Sequence, residues 1–369
     1  MARPYDLGSL HYKALEKGVC TVEAMDCFKV GVVGLGYWGP NLARVILDQE
    51  DVELAWLCDH DEERLNKHAR RYPSAKPTAR YEDLLEDDSL DAIFIATPVF
   101  THFKLADHAL RAGKHTFVEK PLASSVQEAE KLLALAEERG LALLCGHTFI
   151  YSPPVRNVRA MLEAGELGDL HFISASRVNL GLHQRDVSVI WDLAPHDFSI
   201  LCYWLDQVPE TIRAVGRDAI VAGIPDVAFI TLRYPCGLLV NVELSWLAPS
   251  KLRRTVLVGQ EKMVVYEDGS PESVRIFDHG VVYRDPETFG EYHLSYRTGA
   301  ITSPKIQHYE PLAAQVSDFI GNARRGEQMP WHSGMARDVV MMLDAAERSL
   351  NQGGAEITLG ARSLSIASR

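Results

Sequence analysis

The chain has 369 residues, 47% of them hydrophobic, and a net charge of −12 from 38 basic and 50 acidic side chains. That length suits about two domains of roughly 150 residues, and the acidic balance argues against a broad nucleic-acid or anionic-membrane surface. No apolar run reaches the ~18 residues of a membrane span, the N-terminus has no signal-like apolar region, and six scattered cysteines (20, 27, 58, 145, 202, 236) form no C-x-x-C, so a reduced cytoplasmic chain is expected.

Residues 1–27 read as an extension before the first regular element. FKVGVVG (28–34) is an apolar, β-branched run and predicts a buried strand; a Gly-rich turn and an apolar-periodic helix over about 38–49 follow. VELAWLCD (52–59) predicts strand two, and DEERLNKHARRY a charged helix. DAIFIATP (91–98) predicts another strand, followed by a helix from Thr101 to about Ala112. KHTFVEKP (114–121) and LALLCG (141–146) are two more strands. The helix between them has Ser124 as N-cap and Gly140 as C-cap. Strands alternating with helices imply a doubly wound parallel sheet, here a Rossmann-type α/β domain over 28–150.

Beyond residue 150 the pattern changes to longer strands: 170–180, 227–246, 253–268 and 273–283. Tyr234-Pro-Cys-Gly237 and Gly259-Gln-Glu-Lys262 are hairpin turns. Helices return at about 311–324 and 334–351. Residues 151–369 therefore predict an α+β domain with a large, mostly antiparallel sheet.

GLGYWG (34–39) is a G-x-G-x-x-G placed between a predicted strand and a predicted helix, the context that motif requires. Gly34 permits the tight turn, Gly36 lets backbone approach a pyrophosphate, and Gly39 allows close helix–strand packing. Asp59 ends strand two, 20 residues after Gly39. A carboxylate there suits ribose hydroxyls and repels a 2′-phosphate, which favours NAD over NADP; a ligand-free turn and an FAD domain are the alternatives. Ligands bind outside the carboxyl ends of parallel strands. That places Tyr37, Trp38, Thr97, Pro98, His102, Glu119 and Lys120 at the cofactor. Lys120 could polarise a substrate oxygen or be an ordinary strand-end lysine; His102 could touch the cofactor or cap the helix after it.

Residues 190–205 predict a mostly apolar helix. Asp192, His196, Ser199 and Tyr203 fall on one stripe, with Asp197 off it. A stripe of this kind faces a cavity or an internal network, and a histidine in it suits a general base near neutral pH. A core histidine is the plain alternative. No third ligand accompanies Asp192 and His196, so no metal is expected.

The set GLGYWG, Asp59, ATP-x-x-TH (96–102), EKP (119–121), GHTFIYSPPVR (146–156) and D-x-A-x-H (192–196) resembles the glucose–fructose oxidoreductase / inositol dehydrogenase / rhizopine-catabolism (Gfo/Idh/MocA) family across about residues 28–351. Ala194 and Ser199 depart from it, standing where many members have Gly and a second Asp. The form is most similar to the UDP-N-acetylglucosamine and UDP-N-acetylglucosaminuronate 3-dehydrogenase branch. The resemblance implies NAD-dependent hydride exchange with a secondary alcohol carbon of a sugar. Lys120 would polarise the reacting oxygen, His196 would act as acid/base, and Asp192 would orient His196. It also implies a cis Lys120–Pro121 bond and a homodimer or homotetramer. Tyr151, Arg177, Asn179 and His183 are the substrate-side candidates. A free polyol or inositol dehydrogenase, a sugar ketoreductase, and a non-catalytic NAD-binding regulator are the rival readings.

Overall fold

Residues 28–145 wind into parallel β and α layers. The structure is a computed structural model and describes residues 27–181, 187–283 and 294–360. The extension over 1–26 and the candidate His183 lie outside the described residues.

Strands β1 (Phe28–Val33), β2 (Val52–Cys58), β3 (Lys76–Thr78), β4 (Ala92–Ile95), β5 (His115–Val118) and β6 (Leu143–Cys145) alternate with α1 (Gly39–Leu47), α2 (Glu62–Arg71), α3 (Glu82–Leu85), α4 (Val99–Arg111) and α5 (Val126–Arg139). They form one parallel sheet in the order β3-β2-β1-β4-β5-β6. The strands are largely apolar because helices cover both faces. The order reverses between β1 and β4, which opens a crevice at their carboxyl ends. The N-cap of α5 is Ser125, whose side chain accepts from the Glu128 amide; Ser124 instead donates to the Glu128 carboxylate at 2.8 Å.

After α6 (Pro153–Glu163) come β7 (Leu170–Leu180), α7 (Val189–Leu205), β8 (Thr211–Arg217), β9 (Val227–Arg233), β10 (Leu239–Ser245), β11 (Leu247–Gly259), β12 (Met263–Glu267), β13 (Val274–Tyr283) and β14 (Leu294–Thr302). The chain continues with α8 (Pro311–Arg324), α9 (Pro330–Asn351) and β15 (Ile357–Thr358). Nine strands form the second sheet, ordered β14-β13-β12-β11-β7-β10-β9-β8-β15. Among the described residues only its β7–β10 pair is parallel, so the expected antiparallel character holds. In β9, Ala228, Ile230 and Leu232 point into the core while Phe229 points out, the period of two expected of a sheet with one covered face. Helix α9 starts four residues before the predicted position because Pro330 sits in its first turn, where a missing N–H costs nothing.

Packing does not divide at residue 150. Leu312, Val316, Phe319, Ile320 and Ala323 of α8 belong to the core of the first sheet. Phe319 meets the stacked Phe94–Phe117 pair edge-on, with centroids 5.2 and 5.9 Å away. Helix α9 is shared: Ala336 and Val340 join the core that holds α5, while Met335, Val339, Met342 and Leu343 pack under the second sheet.

Candidate active site

The glycine loop is built by steric demand. Gly34 has φ +90°, and a Cβ on it would lie 2.6 Å from the Ala96 carbonyl oxygen. A Cβ on Gly39 would lie 1.8 Å from the Gly34 carbonyl oxygen. Before Gly36 the space is open: a Cβ there meets nothing nearer than Arg64 Nη1 at 4.0 Å. A tight turn, an open approach and the first amides of α1 together fit a dinucleotide diphosphate. Tyr37 and Trp38 project from the loop, 84% and 36% exposed. Asp59 is buried, and its carboxylate accepts from the amides of Leu35 at 2.6 Å and Asp61 at 2.9 Å. In this structure it braces the loop from beneath.

At the end of β4, the Thr97 hydroxyl meets that of Thr101 at 2.6 Å, and Pro98 precedes α4. His102 is held between two main-chain carbonyls. It is 1% exposed, and its Nδ1 and Nε2 lie 2.8 Å from the carbonyl oxygens of Pro121 and Thr97. It ties the β4 end to the β5 end. Glu119 is buried beside Gly146, and burial pushes its carboxyl up to about 7 against the opposing pull of Lys120.

The Lys120–Pro121 bond is cis. Lys120 Nζ donates to the main-chain oxygen of Asp192 at 2.8 Å and lies 3.5 Å from Asp192 Oδ1. Asp192 Oδ2 accepts from Trp246 Nε1 at 3.0 Å. The Asp192 carboxylate thus faces Lys120 and Trp246. Pro195 stands inside α7 and lacks the N–H that would bond the Trp191 carbonyl. The neighbouring Asp192 carbonyl takes the lysine.

His196 packs edge-on against Phe149, with centroids 5.0 Å apart, and its Nδ1 is buried without a hydrogen-bond partner. Burial first, then the charges of Lys120, Arg177 and Arg253, hold its imidazole well below the usual histidine range. Its neutral form is therefore favoured over the protonated one. His196, Lys120, Glu119, Phe149, Arg253 and Trp38 line a cavity of about 390 Å³ between the two sheets. The stripe ends there. Ser199 is buried and bonds back to the His196 carbonyl, and Tyr203 packs on Trp331.

Two substrate-side candidates bond protein carboxylates in this structure. Arg177 forks onto Asp197, with Nε to Oδ2 at 2.6 Å and Nη2 to Oδ1 at 3.1 Å, and the two side chains are 4% and 5% exposed. Its guanidinium also lies over the Phe149 ring at 4.7 Å. Tyr151 is 1% exposed and donates to Asp318 at 2.6 Å. Asn179 is half-buried, and its Oδ1 has no partner. Sequence reasoning missed Trp246, which carries no motif, and Arg253, which faces the cavity while paired with Asp268 at 2.9 Å.

Behind the cavity, burial holds His147 down to about 3 and His332 down to about 4; the charges of Lys120 and His332 add to the first, and Asp318 opposes the second. A histidine in the unfolded chain titrates near 6.5. Between about pH 6.5 and 4 the unfolded state thus binds more protons than the native state, so these two groups withdraw stability as pH falls through that window. Glu119, raised from 4.5 to about 7, acts in the opposite sense and withdraws stability as pH rises. We expect His332→Gln to narrow the gap between urea midpoints at pH 7 and pH 5. An unchanged gap would mean that His332 already carries its proton when folded.

A crevice at the β1/β4 switch point and a glycine cradle, with Lys120 and His196 lining one cavity, are features of a dinucleotide-binding α/β protein. Residues 28–147 match the family model for oxidoreductases with an NAD-binding Rossmann fold (Gfo/Idh/MocA), and residues 155–265 match the Gfo/Idh/MocA C-terminal domain. The chain belongs to the Gfo/Idh/MocA family. Over 149 residues it is 35% identical to a dTDP-3,4-didehydro-2,6-dideoxy-alpha-D-glucose 3-reductase of Actinomadura kijaniata, covering 40% of this chain and 45% of that protein. Over 240 residues it is 30% identical to the UDP-N-acetylglucosamine 3-dehydrogenase of Acidithiobacillus ferrooxidans, covering 63% of this chain and 72% of that protein. Its fold is similar to that of GenD2 from gentamicin A biosynthesis in complex with NAD, with a TM-score of 0.77 at 23% identity over 95% of this chain and 100% of that one.

Proposed function

We propose that this protein is an NAD-linked dehydrogenase that interconverts a secondary alcohol and a ketone on a sugar, at C3 of a nucleotide sugar. The observation that carries the reading is the meeting of Lys120, from the carboxyl end of β5, with α7 of the second domain in one cavity that His196 also lines. The glycine loop and the Glu119–Lys120 segment would hold the cofactor, which supplies the hydride acceptor when bound. Lys120 points its ammonium at the reacting oxygen and stabilises charge that develops there. His196, kept neutral by burial and neighbouring cations, receives the hydroxyl proton and returns it in the reverse direction. The half-buried setting excludes water, which strengthens both interactions.

The two relatives named above act at position 3 of nucleotide-linked sugars, and this supports the choice of substrate over a free polyol. The test is formation of reduced nicotinamide with UDP-N-acetylglucosamine, its uronate, myo-inositol and glucose, with NAD and NADP compared. Turnover of one UDP-sugar is expected, with NAD preferred. Turnover of myo-inositol alone would move the reading to a polyol dehydrogenase, and binding of NAD without any turnover would move it to a regulator. We also propose a homo-oligomer. Phe172, Phe229, Leu239 and Val215 lie exposed on the open face of the second sheet, an apolar surface of the kind that self-association covers; the mass in solution tests it.

A further inference from the structure

We propose that Trp246 is a positioning residue that holds the Asp192 carboxylate away from Lys120. The proposal rests on the reading of Lys120 as the group at the reacting oxygen. Trp246 sits at the bend between β10 and β11 and is 1% exposed. Its amide donates to the Asp226 carbonyl at 3.0 Å, and its carbonyl accepts from the Gly181 amide at 2.9 Å. Gly181 lies so close that a Cβ there would come within 2.8 Å of Trp246 Cδ1. The indole is thus fixed from the backbone and from one face.

From that fixed place its N–H reaches Asp192 Oδ2 at 3.0 Å. The other oxygen, Oδ1, stays 3.5 Å from Lys120 Nζ. A charge-assisted N–H···O bond closes to about 2.7–2.9 Å when nothing opposes it. Here the lysine makes its 2.8 Å bond to the main-chain carbonyl of Asp192 instead. The carboxylate lies near enough to favour the ammonium but is held by the indole and does not clasp it. A clasped lysine would have to break an ion pair before serving a substrate oxygen; a lysine on a neutral carbonyl exchanges it with less loss. Trp246 bonds Asp192, which in turn faces the lysine, and so acts through Asp192.

The test reads the reactivity of the Lys120 amine in the cofactor-free protein, as its acetylation rate by acetic anhydride at fixed pH followed by mass spectrometry of the peptide. In Trp246→Phe, Asp192 is released to close on Lys120, and the rate is expected to fall about tenfold, the equivalent of one charge-assisted hydrogen bond. In an Asp192→Asn background the same change is expected to have no effect, the non-additivity of residues acting through one another. A merely structural role would lower the melting temperature but would not vanish in that background. Replacing Trp246 by 3-benzothienylalanine, which keeps the bicyclic shape and puts sulfur in place of the N–H, gives the same reading should the phenylalanine variant not fold. An unchanged Lys120 rate in these variants, or a fall that persists in the Asp192→Asn background, overturns the proposal. Labelling needs no substrate, so a shifted rate beside silence in the substrate panel would sink the proposed reaction while still showing that Trp246 sets the contact between Asp192 and Lys120.

Discussion

Lys120→Met is expected to lower kcat/KM by about 10²–10⁴-fold, the range of a placed proton-transfer or electrostatic group, while the melting temperature stays near wild type. The lysine side chain is 13% exposed, and methionine matches its stem without the charge. Asp192 keeps the Trp246 N–H, so the substitution does not strand a buried carboxylate. What is lost is the ammonium in the cavity. Lys120→Arg is expected to rescue little, because a planar five-donor fork cannot replace a compact point charge seated on one carbonyl. Steady-state rates beside a cofactor titration decide the matter. A Lys120→Met enzyme within tenfold of wild type would remove lysine from the chemistry.

The second large effect concerns stability. Arg177→Met is expected to cost about 3–5 kcal/mol, because it leaves Asp197 charged, buried and uncompensated. Urea unfolding would show a lower midpoint at an unchanged m-value. Exchanging the pair together, Arg177→Met with Asp197→Leu, is expected to recover most of the loss, since a buried ion pair replaced by apolar side chains of similar size is often nearly neutral. The same substitution removes one of the cations that hold His196 low, so the surviving enzyme should bind a proton at His196 more readily. Undiminished stability with a KM raised more than about tenfold would instead support Arg177 as a substrate ligand.

The parallel domain was legible because each of its features is local. A β-branched run, a glycine turn and an amphipathic helix are written in consecutive residues, and β1, α1 and β2 fall within two or three residues of their expected bounds. Lys120 and His196 were legible as candidates because each stands in a compact motif. What escaped was pairing across distance. Arg177 and Asp197 are 20 positions apart, and strand alternation tells that Arg177 shares a face with Asn179 but not which acid waits above it. Asp197 falls off the stripe of Asp192, His196, Ser199 and Tyr203, so periodicity alone does not point to it. Trp246 is core, and its N–H meets Asp192 only because the fold brings two distant segments together.

The return of α8 to the first sheet has a consequence for the order in which the protein is made. When residue 150 leaves the ribosome, all six strands of the parallel sheet exist, yet the side that carries Phe94 and Phe117 still lacks Phe319 and its neighbours. That cover arrives after about 170 more residues, roughly ten to thirty seconds later at ordinary rates of synthesis. During that interval the nascent nucleotide-binding half carries an open apolar face, a natural target for a chaperone. A fragment cut at the apparent domain boundary would keep that face open permanently and is expected to aggregate, whereas one that rejoins residues 310–351 to the first half would not.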